Sequence, residues 1–318
     1  MNITASDRAG LFLLDERSMK TSFPDLPDLL SLRALSEAID TAVSAAHAGA
    51  AILQAYSHRR GDLVIDHKAQ NDLVSQADRE AEEAIISVLR ERTPDFGIVA
   101  EETGGRPEGK ATWCIDPLDG TTNYLHGIPH YAVSIALVAH DDASSDGQEN
   151  PIVAVVYDPN REELFTAVQG IGAWLNGRRI SVSRSPSLDQ SVLATGFPFR
   201  DFSFEAQYMP MLHDAIHSTR GIRRIGAAAL DLAWTACGRF DGYWEMGLAP
   251  WDVAAGTLLV REAGGLADDM YGREPWARSG NIVAGNKAVA RSLQALVAPH
   301  LDHASPASGP GACNQELP

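Results

Sequence analysis

Trp113-Cys114-Ile115-Asp116-Pro117-Leu118-Asp119-Gly120-Thr121-Thr122-Asn123, or WCIDPLDGTTN, is the stretch on which the reading of this chain turns. Residues 112–115 carry no charge and include two good strand formers, so they read as a buried strand. Asp116 and Asp119 follow at its end. Pro117 fixes φ and is expected to stop the strand. Gly120 allows a tight turn, and residues 121–123 offer hydroxyls and free N–H groups at an expected helix start. Carboxylates hold hard divalent cations through oxygen. N–H groups at a helix start hold phosphate. The combination points to phosphoryl chemistry. A bare DxxD is more often an Asx-type turn that happens to carry two acids; the longer string argues against that reading.

Outward from this stretch, 318 residues suffice for one large domain or two closely packed ones, and an apolar fraction of 45% is ordinary. The net charge of −16, from 26 basic and 42 acidic side chains, argues against a nucleic-acid-binding surface as the main function. It leaves room for a small anionic substrate, because bound metal can reverse the local sign. Cys114, Cys237 and Cys313 are far apart, with no disulfide framework or zinc spacing, and a reducing cytoplasm is the expected location. No run of 18 apolar residues exists, so no membrane span is expected. The apolar patch at residues 11–14 is too short for a signal peptide core.

Four segments follow from composition and period: an extension at 1–30, an α+β domain at 31–185 that would bind metal and phosphate, an α/β domain at 186–300 on the substrate side, and an aperiodic tail at 301–318. Leu32, Leu35, Ile39, Val43, Ala46 and Ala50 mark a first helix. Asp78 precedes a helix expected at 79–91 and reads, taken alone, as its N-cap. Glu101 and Glu102 end a strand at 96–99; adjacent side chains alternate, so one of them can face inward easily. Strands are expected at 131–138, 152–157, 163–168 and 172–175, with Asn176-Gly177 a hairpin turn and 180–182 pairing back. In the second half strands and helices alternate, and Asp252 opens a helix where an acid would offset the macrodipole.

DPLDGTTN at 116–123, WDVAAGTLLVREAGG at 251–265 and Ala100-Glu101-Glu102-Thr103 resemble, in order and spacing, the signatures of the inositol monophosphatase family. That family consists of Mg²⁺-dependent, lithium-sensitive phosphatases, and the similarity runs from about residue 35 to about residue 298. The resemblance implies a layered α-β-α-β-α fold, of α+β and α/β character, with an antiparallel N-terminal sheet and a smaller mixed C-terminal sheet. It implies two or three Mg²⁺ ions, with Mn²⁺ as an alternative, on Glu101, Asp116, the Leu118 carbonyl, Asp119 and Asp252. Asp78 and Thr121, with Glu101, would orient and deprotonate the attacking water. Gly120, Thr121 and Thr122 would hold the phosphate. Asp119, Asp252, Glu245, Arg223 and the backbone of Ala228 would meet the alcohol, with Lys68 and Glu102 behind the ligands.

Two positions depart from the vertebrate-type pattern. Ala249 stands where those members have His, and Lys68 lies one residue closer to Asp72. The GFPF (196–199), YWEMG (243–247) and REAGG (261–265) segments resemble the inositol branch. Inositol monophosphate is therefore the first expected substrate, then histidinol phosphate, then 3′,5′-bisphosphate nucleotides and fructose 1,6-bisphosphate. The resemblance also implies a homodimer, and Trp174 and Trp234 suggest apolar surface for one. A reading from another class is a regulatory binding protein on the same fold.

Overall fold

The structure is a computed structural model that describes residues 32–58, 65–69, 72–140, 149–199, 201–274 and 276–301, with the backbone alone for residues 32, 65–69 and 72–74. The elements in order are α1 (Leu32–Ser57), β1 (Ile65–Ala69), β2 (Asp72–Ser75), α2 (Gln76–Arg92), β3 (Gly97–Ala100), β4 (Gly104–Gly105), β5 (Ala111–Asp119) and the single turn α3 (Thr121–Leu125). The strands β6 (Ala132–His140), β7 (Glu149–Asp158), β8 (Glu163–Val168), β9 (Gly172–Leu175) and β10 (Arg178–Arg179) complete the first half. The second half runs β11 (Val192–Thr195), α4 (Glu205–Ser218), β12 (Gly221–Arg223), α5 (Ala228–Ala236), β13 (Gly242–Glu245), α6 (Pro250–Glu262), β14 (Leu266–Asp269), β15 (Ile282–Gly285) and α7 (Lys287–Val297).

Period-2 patterning builds the layers. In β6, Val133, Ile135, Leu137 and Ala139 pack with the apolar stripe of α1 and α2 (Ala42, Leu53, Ile85, Leu89). Their neighbours Ala132, Ala136 and Val138 pack on the opposite side with Ala229 and Leu232 of α5 and Val253 and Leu258 of α6. The central strands therefore have no solvent face, which explains their near-continuous apolar runs. The second sheet repeats the rule. Ala194, Tyr243 and Ala284 face α5 and α6. Leu193, Trp244 and Val283 face Tyr208 and Met211 of α4 and Leu293 of α7. The result is the α-β-α-β-α layering, with α5 and α6 as the middle layer between the two sheets.

The first sheet has the order β10-β9-β8-β7-β6-β5-β3-β4. Every neighbouring pair in it is antiparallel except β3 with β5. The second has the order β12-β11-β13-β15-β14 and is mixed, parallel from β12 to β13 and antiparallel beyond.

Several expected boundaries move. Pro117 does not end the strand: β5 runs on to Asp119, and its pairing with β6 is broken between Asp116 and Asp119. A bulge needs no N–H from the proline, so the residue fits inside the strand. The strand that pairs back on β9 is 178–179 rather than 180–182, because Asn176 and Gly177, both at positive φ, close a two-residue turn. α2 begins at Gln76 with Ser75 as N-cap, so Asp78 is its third residue, not the cap. Trp234 is half-buried beneath the guanidinium groups of Arg161 and Arg239 rather than on an open apolar surface. The N-terminal extension, residues 141–148 between two expected strands, and the tail from residue 302 on, with Cys313, lie outside the described residues. Among the described residues no helix is long and apolar enough to cross a membrane.

Candidate active site

The break in β5 delivers the acids. Asp116 and Asp119 are buried at the two ends of the bulge. Asp116 Oδ1 accepts the Leu118 N–H at 2.9 Å, which fixes the bulge from inside. Glu101 follows β3, and its N–H donates to the Ile115 carbonyl at 3.1 Å, so the parallel register of β3 on β5 sets it beside Asp116. Burial, then the neighbouring charges of Glu101, Asp119 and Asp252, hold the Asp116 carboxyl well above the usual carboxylate range.

Asp119 reaches into the other half of the chain. Its carboxylate accepts the N–H groups of Ala228 at 3.0 Å, Ala229 at 2.8 Å and Leu230 at 3.4 Å. These are orphan donors of the first turn of α5, whose own N-cap, Ala227, has no side chain able to serve them. An acid from 109 residues upstream does the capping. Burial, then Asp252 and Asp231, push the Asp119 carboxyl well up, although the backbone donors oppose this.

Asp252 is the third residue of α6, and its Oδ2 accepts the Ala249 N–H at 2.8 Å. Asp78 has the same place in α2. Its Oδ2 accepts from the N–H of Ser75 at 2.9 Å and from the Ser75 hydroxyl. This leaves Oδ1 to accept the Thr121 hydroxyl at 3.0 Å. Burial raises the Asp78 pKa against those three hydrogen bonds. The Thr121 hydroxyl also lies 3.1 Å from the Leu118 carbonyl.

Gly120, at φ 96°, turns the chain out of β5, and a Cβ there would stand 3.1 Å from the His130 carbonyl. The helix that follows is five residues long, so it offers N–H groups rather than a sizeable macrodipole.

Several of these groups, but not Asp78, Glu101 or Asp116, open on one cavity of about 590 Å³. Asp119, Gly120, Thr121, Thr122, Ala228, Glu245 and Asp252 all line it. Glu245 ends β13, and Tyr243 Oη donates to its Oε2. Burial pushes the Glu245 carboxyl up to about 7. Ala228 lines the cavity, but Asp119 takes its N–H. Arg223 does not line it: the side chain is exposed and donates to the Ile222 carbonyl at 3.1 Å. Its neighbour Arg224 lies on the cavity instead. The Lys68 side chain lies outside the described residues.

Three contributors escaped the reading of the sequence. Glu82 is fully buried and accepts the N–H groups of Glu102 and Thr103, both at 2.8 Å, so it fixes the turn that carries Glu101 and Glu102. The signal was present, since Asp78 and Glu82 sit four apart on the apolar face of α2. Asn123 Nδ2 donates to the carbonyls of His130 at 2.8 Å and Ile225 at 2.9 Å, tying the residues after Gly120 to the approach of α5. Asp231, buried in the first turn of α5 and raised well above the usual range by burial, had no local signal.

The donors suit a hard cation. They are carboxylates and a carbonyl, buried except for the half-buried Glu101, and short of positive charge. Among the described residues no three acid, imidazole or thiol groups are already gathered on one point. Asp119, Asp252 and Asp116 each hold a backbone N–H instead, as expected of like charges that move apart.

With this geometry in view, the decisive comparison is a family model. The inositol monophosphatase family model matches residues 34–305. The chain belongs to the inositol monophosphatase family. Among relatives in that family, Nus factor SuhB of Pseudomonas aeruginosa is 44% identical over 270 residues, covering 83% of this chain and 96% of that one. The extragenic suppressor protein suhB from Bartonella henselae has a solved structure that matches with a TM-score of 0.75 and 41% identity, covering 82% of this chain and 98% of that one. The inositol monophosphatase from Anabaena matches with a TM-score of 0.71 and 38% identity, covering 83% and 96%.

Proposed function

We propose that this member of the inositol monophosphatase family is a Mg²⁺-dependent phosphomonoester hydrolase of small polyol or sugar phosphates, with myo-inositol monophosphate the first candidate. One observation carries the reading: the Asp78–Thr121 hydrogen bond lies on the same turn as the buried acids of β5, and Gly120 and Thr121 of that turn line the cavity that also holds Glu245 and Asp252. On this reading a proton acceptor, cation donors, phosphate donors and a carboxylate for hydroxyls would lie close together.

Glu101, Asp116, the Leu118 carbonyl, Asp119 and Asp252 would hold the metal. Bound Mg²⁺ supplies charge to phosphoryl oxygens and lowers the pKa of a water. Thr121 then accepts a hydrogen bond from the attacking water and passes a proton to Asp78, whose raised pKa suits it to receive one. Free N–H groups at residues 120–122 orient the phosphate. Glu245 accepts from hydroxyls of the alcohol. No covalent phosphoenzyme is required, and the chain lacks the DxDx[TV] pattern that one would use.

The test is phosphate release from inositol 1-phosphate, histidinol phosphate, a 3′,5′-bisphosphate nucleotide and fructose 1,6-bisphosphate, each with and without Mg²⁺. Highest turnover on the nucleotide would sink the inositol assignment. Li⁺ matches Mg²⁺ in size with half the charge, so we also expect inhibition uncompetitive with substrate, weakened together with Mg²⁺ affinity in Asp252→Asn. A homodimer belongs to the same proposal; sedimentation at 34 kDa would refute it.

A second reading, action through binding, takes its support from relatives named Nus factor SuhB. Asp116→Asn separates the two. It abolishes the cellular phenotype if hydrolysis is the function and leaves it intact if binding is.

A further inference from the structure

The walls of the cavity hold one feature that the phosphatase reading does not use. Asp119, Asp201, Glu245 and Asp252 give it four carboxylates, whereas Arg224 is the single basic side chain among the described residues that line it. An arginine at such a place is commonly a counter-ion to a neighbouring acid. Here no carboxylate of the described residues lies within ion-pair distance of the Arg224 guanidinium. The side chain is instead seated by apolar groups. Its guanidinium carbon lies 5.6 Å from the ring centre of Phe197 and 5.3 Å from that of Phe199. Phe197 and Phe199 stand edge to face with centroids 5.7 Å apart, and both line the cavity. On the backbone side, Gly226 at φ 91° makes room, since a Cβ there would come within 2.4 Å of Arg224 Nη1.

Stacking on aromatic rings orients a guanidinium by its face and leaves the N–H edge available. That edge is a planar fork suited to two oxygens of one anion. A side chain that is exposed, yet held by two rings and a glycine, is prepared for an anion that arrives with the ligand.

We propose that Arg224 is a specificity residue that receives a second anionic group, a carboxylate or phosphate, carried on the alcohol part of the phosphomonoester. This rests on the phosphatase reading above and adds that, between otherwise matched polyol phosphates, the site favours the one bearing a further negative charge. Phe197 and Phe199 act as positioning residues for Arg224. Arg223 takes no part, being turned to its own strand.

Two matched ligand pairs test the assignment: glycerol 2-phosphate against 2-phosphoglycerate for a carboxylate, and fructose 1-phosphate against fructose 1,6-bisphosphate for a phosphate. Wild type is expected to show kcat/KM higher by about tenfold for the doubly anionic member of at least one pair, mainly through KM, the size of a charge-assisted pair at a solvated rim. The pair that shows it names the anion. Arg224→Gln should bring that ratio close to one, and Arg224→Lys should restore only part of it, because a point charge lacks the fork. Phe199→Leu should lower the ratio by loosening the seat. A ratio of one in both pairs for wild type overturns the proposal. So does an Arg224→Gln protein that loses the same factor on both members, which would mark Arg224 as a contact to the phosphate common to all of them. Hydrolysis of neither member of any pair would tell against the phosphatase reading itself. In that case equilibrium binding by titration calorimetry decides, and equal affinities within each pair overturn the Arg224 assignment.

Discussion

The two sheets contribute different things to the same cavity. The first sheet supplies charge, with Asp116 and Asp119 in the β5 bulge and Glu101 at the end of β3. The second half supplies helix starts and walls, namely the N-termini of α5 and α6, Glu245 at the end of β13, and Arg224. The acids of the first region repel one another, whereas the orphan N–H groups of the second attract them. Asp119 lies on both sides of this division, since it is crowded by other acids and also caps α5. A site built across two regions in this way depends on the packing of the middle layer, and on the proposed function a cation bound there would be linked to that packing.

The most drastic way to break the comparison is to pull the regions apart. We treat the boundary near residue 185 as a proposal about how the chain is organised. One core layer, α5 and α6, is nevertheless shared by both sheets. Calorimetry should therefore show one cooperative transition for residues 32–301; two well-separated ones would mean that the halves are independent. Next in size is the loss of a β5 acid. Asp116→Asn should lower kcat by about 10²–10³-fold, as when a preorganised electrostatic group is removed. In metal-free protein it should also raise the melting temperature, because it deletes a crowded charge while keeping an acceptor for the Leu118 N–H. Asp119→Ala relieves the same crowding but uncaps α5, so it should melt below Asp116→Asn by an amount equivalent to ~1–2 kcal/mol. Equal melting of the two would show that the cap on α5 contributes nothing. On the substrate side, Glu245→Gln should raise KM for a polyol phosphate by about tenfold with a smaller change in kcat, the signature of lost ground-state contacts.

The smallest effect is a drift with pH. Asp116, Asp119, Asp231 and Glu245 bind protons more tightly folded than unfolded. The native state then carries more protons than the unfolded state, so stability falls as pH rises through the folded pKa. His130, lowered to about 4 by burial and by the Arg161 charge, works the other way, and because its unfolded imidazole is still half protonated at about pH 6.5 it offsets part of this loss until about pH 7.5. Between pH 6.5 and 8, metal-free protein should therefore lose stability, by about 1 kcal/mol from Glu245 alone. Mg²⁺ should reverse the slope. Melting curves across that range decide it, and a rise in stability without metal would contradict the crowding.

Much of this was legible before any coordinates. Alternation in β6 and β7, the stripe of α1 and the Asn176-Gly177 turn each follow from local rules that hold wherever the segment is placed. Pro117 misled because a missing N–H is harmless in a bulge, and a bulge is a property of two strands rather than one. Asp78 misled because Ser75 competes for the cap three residues earlier, and both residues are plausible caps on local grounds. Arg223 and Arg224 are identical in type and adjacent in sequence; their opposite directions are set by where β12 ends and by the two phenylalanines from another loop.

The sequence by itself determined most element types, because side-chain period and residue type are local, and its contiguous motifs, through their resemblance to the inositol monophosphatase family, implied the layered fold. Only the tertiary structure decided what each acid holds. Asp119 finds the start of α5, 109 residues away; Asp78 finds Thr121, 43 residues away; Asn123 finds Ile225, 102 residues away. The first two partners are a donor left over by another element's own hydrogen bonding and a hydroxyl free to rotate; the third is a carbonyl that accepts from the Asn123 amide. Which leftover donor meets which acid depends on how the sheets and the middle helices pack, and no local pattern encodes that.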